Sequence, residues 1–244
     1  MIKERLVAEI SGAPVTIDVK RVTRAKRMTL RIPPGDANPV VTIPFRASLR
    51  NVEPFVRQQR NWLAARLAER CPAAPFADGA EIPFRGELVR IVWQPGTRGT
   101  VREGRVDGAP VLLVSGDAAH ITRRVSDFMR RSARADLEVA VAEFAAMVGR
   151  RPTAIRIKDT RAQWGSCTPA GVLSFSWRLV LAPPSVLRYV AAHEVAHLIE
   201  LNHSADFWAL NEKLDPNHEC ARLWLKTHGR TLHAVGGERA VHAA

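Results

Sequence analysis

An α+β fold, mostly β in its first half and mostly helical in its second, is predicted by three features of this 244-residue chain. From Val15 to Ile43 the residues alternate with a period of two, Val15, Ile17 and Val19 against Thr16, Asp18 and Lys20. Residues 76–119 read as further short strands, punctuated by Gly79, Gly86, Pro95-Gly96 and Gly108. After Asp117 the apolar spacing becomes helical over a long stretch. Hydrophobic residues make up 46% and charged residues 25%, which suits a buried core in one large domain or two small ones and excludes a disordered chain.

Each element follows from its own signals. Pro33-Pro34-Gly35 and Asn38-Pro39 interrupt the first strands. Asn51 is placed to cap a helix to about Arg70, with Val52, Phe55, Val56, Trp62, Leu63 and Leu67 as its apolar stripe and Pro72 beyond its end. A long helix is expected from about Asp117 to Val148, carrying Ile121, Val125, Phe128, Leu137, Val141, Phe144 and Val148 on one side and closed by Gly149 and Pro152. Ala154–Lys158 and Val172–Leu181 read as the strands of a β-hairpin, with Thr168–Gly171 as the turn between them. A helix opens at Pro183-Pro184-Ser185 and runs through Leu198; two more follow at about 204–214 and 216–228, the last with Asp215 as cap and Gly229 after it. No internal repeat is visible. The expected division is a β-rich domain with one helix over 1–116, a second domain over 117–230, and a flexible tail over 231–244.

The longest apolar runs, such as Val111–Val114, fall far short of the ~20 residues a membrane helix needs. The N-terminus MIKERLVAEISGAPVTIDV lacks the apolar core of a signal peptide. Cys71, Cys167 and Cys220 form no CxxC pair and no disulfide framework, so a reduced, cytoplasmic protein is expected. The net charge of +12 is unevenly spread. Residues 1–70 carry 14 Lys and Arg against 6 acids, whereas residues 182–220 carry only Arg188 and Lys213 against six. Lys20, Arg21, Arg24, Lys26, Arg27 and Arg31 could dock on nucleic-acid phosphates, yet 30 of the 36 basic residues are Arg, which also fits simple codon bias.

The chemistry lies in the second half. His193-Glu194-Val195-Ala196-His197 is an HExxH on a predicted helix, where positions i and i+4 stand one above the other. Two imidazoles so placed can bind one Zn²⁺, and Glu194, one residue round, can reach a metal-bound water. His203 follows ten residues after His193, where a left-handed turn at Asn202 would bring a third imidazole back to the metal. Three protein ligands and one open position is the catalytic zinc pattern. Glu219 is the alternative third ligand. The spacing equals that of metzincins, but Glu200 replaces their glycine and no methionine follows the motif.

The segment RAQWGSCT at 161–168, Trp177-Arg178-Leu179, Pro183 and the run from His193 to Trp208 together resemble the YgjP-like (SprT-related) family of zincin-type metallopeptidases. The resemblance covers about residues 10–228, specifically in the C-terminal part and more loosely before it; Ser176 stands where many members have Asn. It implies a zincin-like catalytic domain with one zinc per chain, His193, His197 and His203 as ligands, and Glu194 as the catalytic carboxylate. Two readings stand for 161–167: a hairpin corner packed beside the active-site helix, or a site where Arg161 or a nearby backbone amide polarises the substrate oxygen.

The expected function is a zinc-dependent hydrolase, a metallopeptidase acting on a peptide or protein, with Glu194 activating the water and an edge of strand 172–181 or 154–158 holding the extended substrate. The alternatives are a phosphohydrolase or nucleotide pyrophosphatase using the same site, and a nucleic-acid-associated SprT-like protein. No membrane partner is expected.

Overall fold

The computed structural model describes residues 3–33, 38–68 and 74–236. The chain is a mixed α+β protein that divides into two compact units, one within residues 1–73 and one spanning 74–236.

In the first unit β1 (Lys3–Ile10), β2 (Ala13–Val22), β3 (Thr29–Arg31) and β4 (Val40–Pro44) form one sheet in the order β1-β2-β4-β3. β1 and β2 make an antiparallel hairpin turned by Ser11 and Gly12, both at positive φ, the backbone whose twist suits a two-residue hairpin loop. β2 runs parallel to β4 and β3 antiparallel to it. Ile17, Val19, Val41 and Ile43 pack against Val52, Val56 and Leu63 from α1 (Val52–Gln58) and α2 (Arg60–Ala68). The one helix expected after Asn51 is therefore two, separated at Gln59. Asn51 makes no side-chain cap; Ser48 instead accepts the Arg50 N–H and opens a 3₁₀ turn over Leu49–Asn51. The expectations at Pro34-Gly35, Arg70, Cys71 and Pro72 lie outside the described residues.

The second unit begins with a sheet of the same topology. β5 (Glu81–Phe84), β6 (Glu87–Gln94), β7 (Arg102–Val106) and β8 (Ala109–Ser115) take the order β5-β6-β8-β7, with the central pair parallel and both outer pairs antiparallel. Each sheet is followed by a capped 3₁₀ turn and a helix, Ser48 opening the first turn and Asp117 the second. This repetition, invisible in the sequence, is one of pairing order rather than of residue type.

α3 (Ile121–Val148) ends on Gly149 in the left-handed conformation, as its position past the last apolar residue predicts. Val125, Met129, Leu137, Val141 and Phe144 share one core with Ile82, Ile91, Leu112 and Val114 of the preceding sheet. The division falls near residue 74 rather than 116, because the β5–β8 sheet has its apolar face on α3 and on the elements after it.

The third sheet corrects the expected hairpin. β9 (Ala154–Lys158), β10 (Gly165–Cys167) and β11 (Val172–Ser176) take the order β10-β11-β9. β11 is parallel to β9, and its hairpin partner across Thr168–Gly171 is β10. β11 is thus flanked on both sides, and the open edges belong to β9 and β10. The strand also stops at Ser176: Trp177–Leu181 coils into a 3₁₀ turn whose five residues are all buried, so its apolar run marks burial rather than alternation.

Three helices complete the unit: α4 (Pro184–Ala196), α5 (Ala205–Leu214) and α6 (His218–Leu232). The β5–β6 turn clamps the start of α4. Arg85 N–H donates to the Val180 carbonyl at 2.7 Å, and a Cβ on Gly86 would lie 2.9 Å from Pro183 Cα. Ser204 caps α5 by accepting the Phe207 N–H. α6 runs through Gly229 instead of stopping before it, and Leu232, Ala234 and Val235 are buried, so residues 231–236 belong to the fold where a tail was expected. The remainder of that tail, 237–244, lies outside the described residues. Among the described residues no helix is long and apolar enough to cross a membrane.

Candidate metal centre

α4 is buried on nearly every side, with Val186, Leu187, Val190, Ala191, Val195 and Ala196 in the core. Polar groups on such a helix need a partner or a task. His193 and His197 lie one turn apart on it, and their ring centroids are 5.0 Å apart. The helix ends at His197, and a tight turn through residues 198–202 returns His203 to the pair, its centroid 5.1 Å from His193 and 4.7 Å from His197. Asn202 is not left-handed, contrary to the sequence expectation; the Ile199 and Glu200 N–H groups both turn back onto the Ala196 carbonyl, and Ser204 N–H bonds the Asn202 carbonyl.

One ligand nitrogen from each imidazole lies within 4.8 Å of the other two. His193 Nε2 and His203 Nε2 are 3.1 Å apart. His197 Nδ1 lies 2.8 Å from the Glu200 carbonyl, so it carries the hydrogen and Nε2 keeps a free lone pair, the outer partner that metal-binding histidines use. In a tetrahedral site with bonds of ~2.1 Å, ligand nitrogens stand about 3.4 Å apart, a spacing bracketed by the 3.1 Å pair and the 4.8 Å limit of the cluster. Phe207, fully buried, packs its ring 4.9, 4.4 and 4.8 Å from the three imidazoles and fixes their directions. Burial, with His197, His203 and His218 nearby, holds His193 down to about 4, so it is a neutral, lone-pair-bearing ring at neutral pH. These residues fit a divalent metal ion.

Glu194 is 5% exposed and turns toward β10. Burial without an opposing charge raises its carboxyl to about 8. A Cβ on Gly165 would lie 2.5 Å from Glu194 Oε1 and 2.6 Å from its Cγ, so only glycine leaves the carboxylate room against the strand. Gly165 thus lines the site beside Glu194, and nothing in the RAQWGSCT segment singles it out from its neighbours by sequence alone. Its neighbour Trp164 stacks on His233 at 4.8 Å and fills the space where Gly229 lacks a side chain. That contact explains why α6 tolerates a glycine inside it. Between β10, α4 and α6 lies a cavity of about 370 Å³, walled by Trp164 and Gly165, by Tyr189, His193 and Glu194, and by Arg222 and Lys226.

The other candidates lie elsewhere. Arg161 is exposed, stands near His233, and is not part of the cavity wall beside Glu194. Glu219 is an exposed partner of Arg222, outside the imidazole cluster. Cys167 is half-buried against the core, and burial followed by the Glu194 carboxylate raises its thiol, which makes it a poor nucleophile. In the first unit Arg21 is held by the Phe45 and Ala47 carbonyls, while Lys20, Arg24, Lys26, Arg27 and Arg31 are exposed.

The crystal structure of the metallopeptidase zymogen of Pyrococcus abyssi abylysin is similar over 37% of this chain and 93% of that one, at 20% identity and a TM-score of 0.34, too distant to carry an argument. No curated protein matches the chain. The family described as YgjP-like, metallopeptidase domain, matches residues 26–228, most of the chain and both compact units, and the protein belongs to that family.

Proposed function

We propose that this protein is a zinc-dependent peptidase whose zincin-like catalytic site is carried by residues 74–236. His193, His197 and His203 hold the ion through their ring nitrogens, and Glu194 is the general base. The observation that carries this reading is the convergence of three imidazole nitrogens within 4.8 Å beside a carboxylate buried against a strand edge. Zinc bound there supplies a Lewis acid for the scissile carbonyl and an acidified water.

The residues of the chain do the rest. Glu194 takes the proton of the attacking water and delivers it to the departing amine nitrogen. β10 is the sheet edge beside Glu194, so an extended peptide pairs with it; of the two strands expected to offer an edge, 172–181 is flanked on both sides and 154–158 lies at the opposite edge of the sheet. Phe207 keeps the imidazoles in register while substrate enters. The substrate is a peptide or protein, in keeping with the family, and the free thiols of Cys167 and Cys220 suit a cytoplasmic setting.

Glu194→Gln tests the assignment. The variant is expected to keep its zinc and lose peptide hydrolysis by at least 100-fold. Activity within a few-fold of wild type at equal zinc content would remove Glu194 from the mechanism.

A further inference from the structure

We infer that Arg222 and Lys226 form a carboxylate-binding subsite, so that the favoured substrates are peptides with an anionic group next to the scissile bond. The inference rests on the peptidase reading and names its substrate class. The two residues are four apart on α6 and stand on one face of it, one turn above the other. That face is the cavity wall across from β10, and the same cavity is bounded by His193 and Glu194. A substrate group entering it sits beside the reacting bond.

The surroundings make the two cations a feature rather than background. They follow directly on residues 182–220, where acids outnumber Lys and Arg by four. Arg222 is held near the imidazoles: its guanidinium lies 5.7 Å from the Trp208 ring, which in turn packs 5.8 Å from His203. Its charge is also felt at the Tyr189 hydroxyl on the cavity wall. Its ion pair with Glu219 is long, at 3.6 Å, and solvent-exposed, so it competes weakly with an incoming carboxylate. Lys226 has no ion pair or side-chain hydrogen bond among the described residues. A planar guanidinium offers a paired-donor fork for a carboxylate, and an ammonium beside it adds a mobile point charge. At about 370 Å³ the cavity takes one large side chain or one terminal residue, not a folded segment.

The carboxylate has two sources, an Asp or Glu side chain or the peptide's own C-terminus, and one experiment separates them. Random octapeptide pools carrying a fixed central Glu or Gln, each made as free acid and as C-terminal amide, are titrated calorimetrically into the zinc-loaded Glu194→Gln protein. About tenfold tighter binding of Glu pools than Gln pools assigns the side chain; about tenfold tighter binding of free acids than amides assigns the terminus. Either preference is expected to disappear in Arg222→Ala/Lys226→Ala built on the same background, and to weaken steeply with added salt. Circular dichroism verifies that the variant is folded. Equal binding of all four pools, or a preference that survives the double substitution, overturns the inference. Cleavage of the same pools by wild type is read separately by mass spectrometry, so loss of the peptidase reading is distinguishable from loss of the subsite. On cleaved pools the substitutions are expected to act through KM rather than kcat.

Discussion

Replacing Gly165 by alanine adds one methyl group at the contact between β10 and the proposed general base. Gly165 lies in a strand and is not among the glycines at positive φ, so the backbone accepts alanine and only the side-chain space is tested. The new Cβ would stand 2.5 Å from Glu194 Oε1, 2.6 Å from Cγ and 2.8 Å from Cδ, against an ordinary contact of at least 3.4 Å. The carboxylate must therefore retreat by about 0.9 Å, and a misplacement near 1 Å costs on the order of 100-fold in rate. Glu194 is buried on a packed helix, so the overpacking itself costs about 1–3 kcal/mol, or about 2–12 °C in melting temperature. Steady-state hydrolysis of a fluorogenic peptide, with zinc content and calorimetric melting on the same sample, reads all three. A kcat about 100-fold down with zinc retained is expected. A kcat within threefold of wild type would refute the placement of Glu194 against β10 as the working position.

Two further predictions concern the shell behind the site. Burial, then Arg178 and Arg161, with Asp159 opposing, hold His233 down to about 4, so the unfolded chain binds its proton first as pH falls. Stability from this residue is complete above about pH 6.5 and is lost toward pH 4, by on the order of 3 kcal/mol; His233→Phe, keeping the stack on Trp164, should flatten that part of a urea-midpoint profile against pH. An unchanged slope would contradict it. Arg178 is buried and donates to the Leu232 and Val235 carbonyls at 2.8 and 2.7 Å and to Asp159 at 2.8 Å. Arg178→Ala strands those groups and should destabilise by about 2–5 kcal/mol in urea unfolding, with a loss under 1 kcal/mol counting against this anchor.

The site was more legible in the sequence than its frame. HExxH with His203 is a local pattern, because helical geometry and a short turn bring the rings together with no help from distant chain. The neighbours that shape the site come from afar. Gly165 bears on Glu194 only once β10 lies along α4, and Arg222 and Lys226 face it only once α6 packs beside that helix. Trp164 shows the same limit from the other side: it occupies the space over Gly229, so a glycine that reads as a helix stop is a packing site. Periodicity located α3 and most strands, but it could not tell β9's parallel pairing from a hairpin, since both patterns alternate. It also missed β1 and the shared pairing order of the two four-stranded sheets, which is a relation among strands rather than a similarity of residues.

Metal content by mass spectrometry, on wild type and His203→Ala purified without chelators, bears most directly on the proposed three-histidine centre. About one zinc per chain in wild type, lost or sharply weakened in the variant, is the expected result. Zinc held equally tightly by His203→Ala would place the third ligand elsewhere, and wild type that takes up no zinc when it is offered would contradict the centre itself.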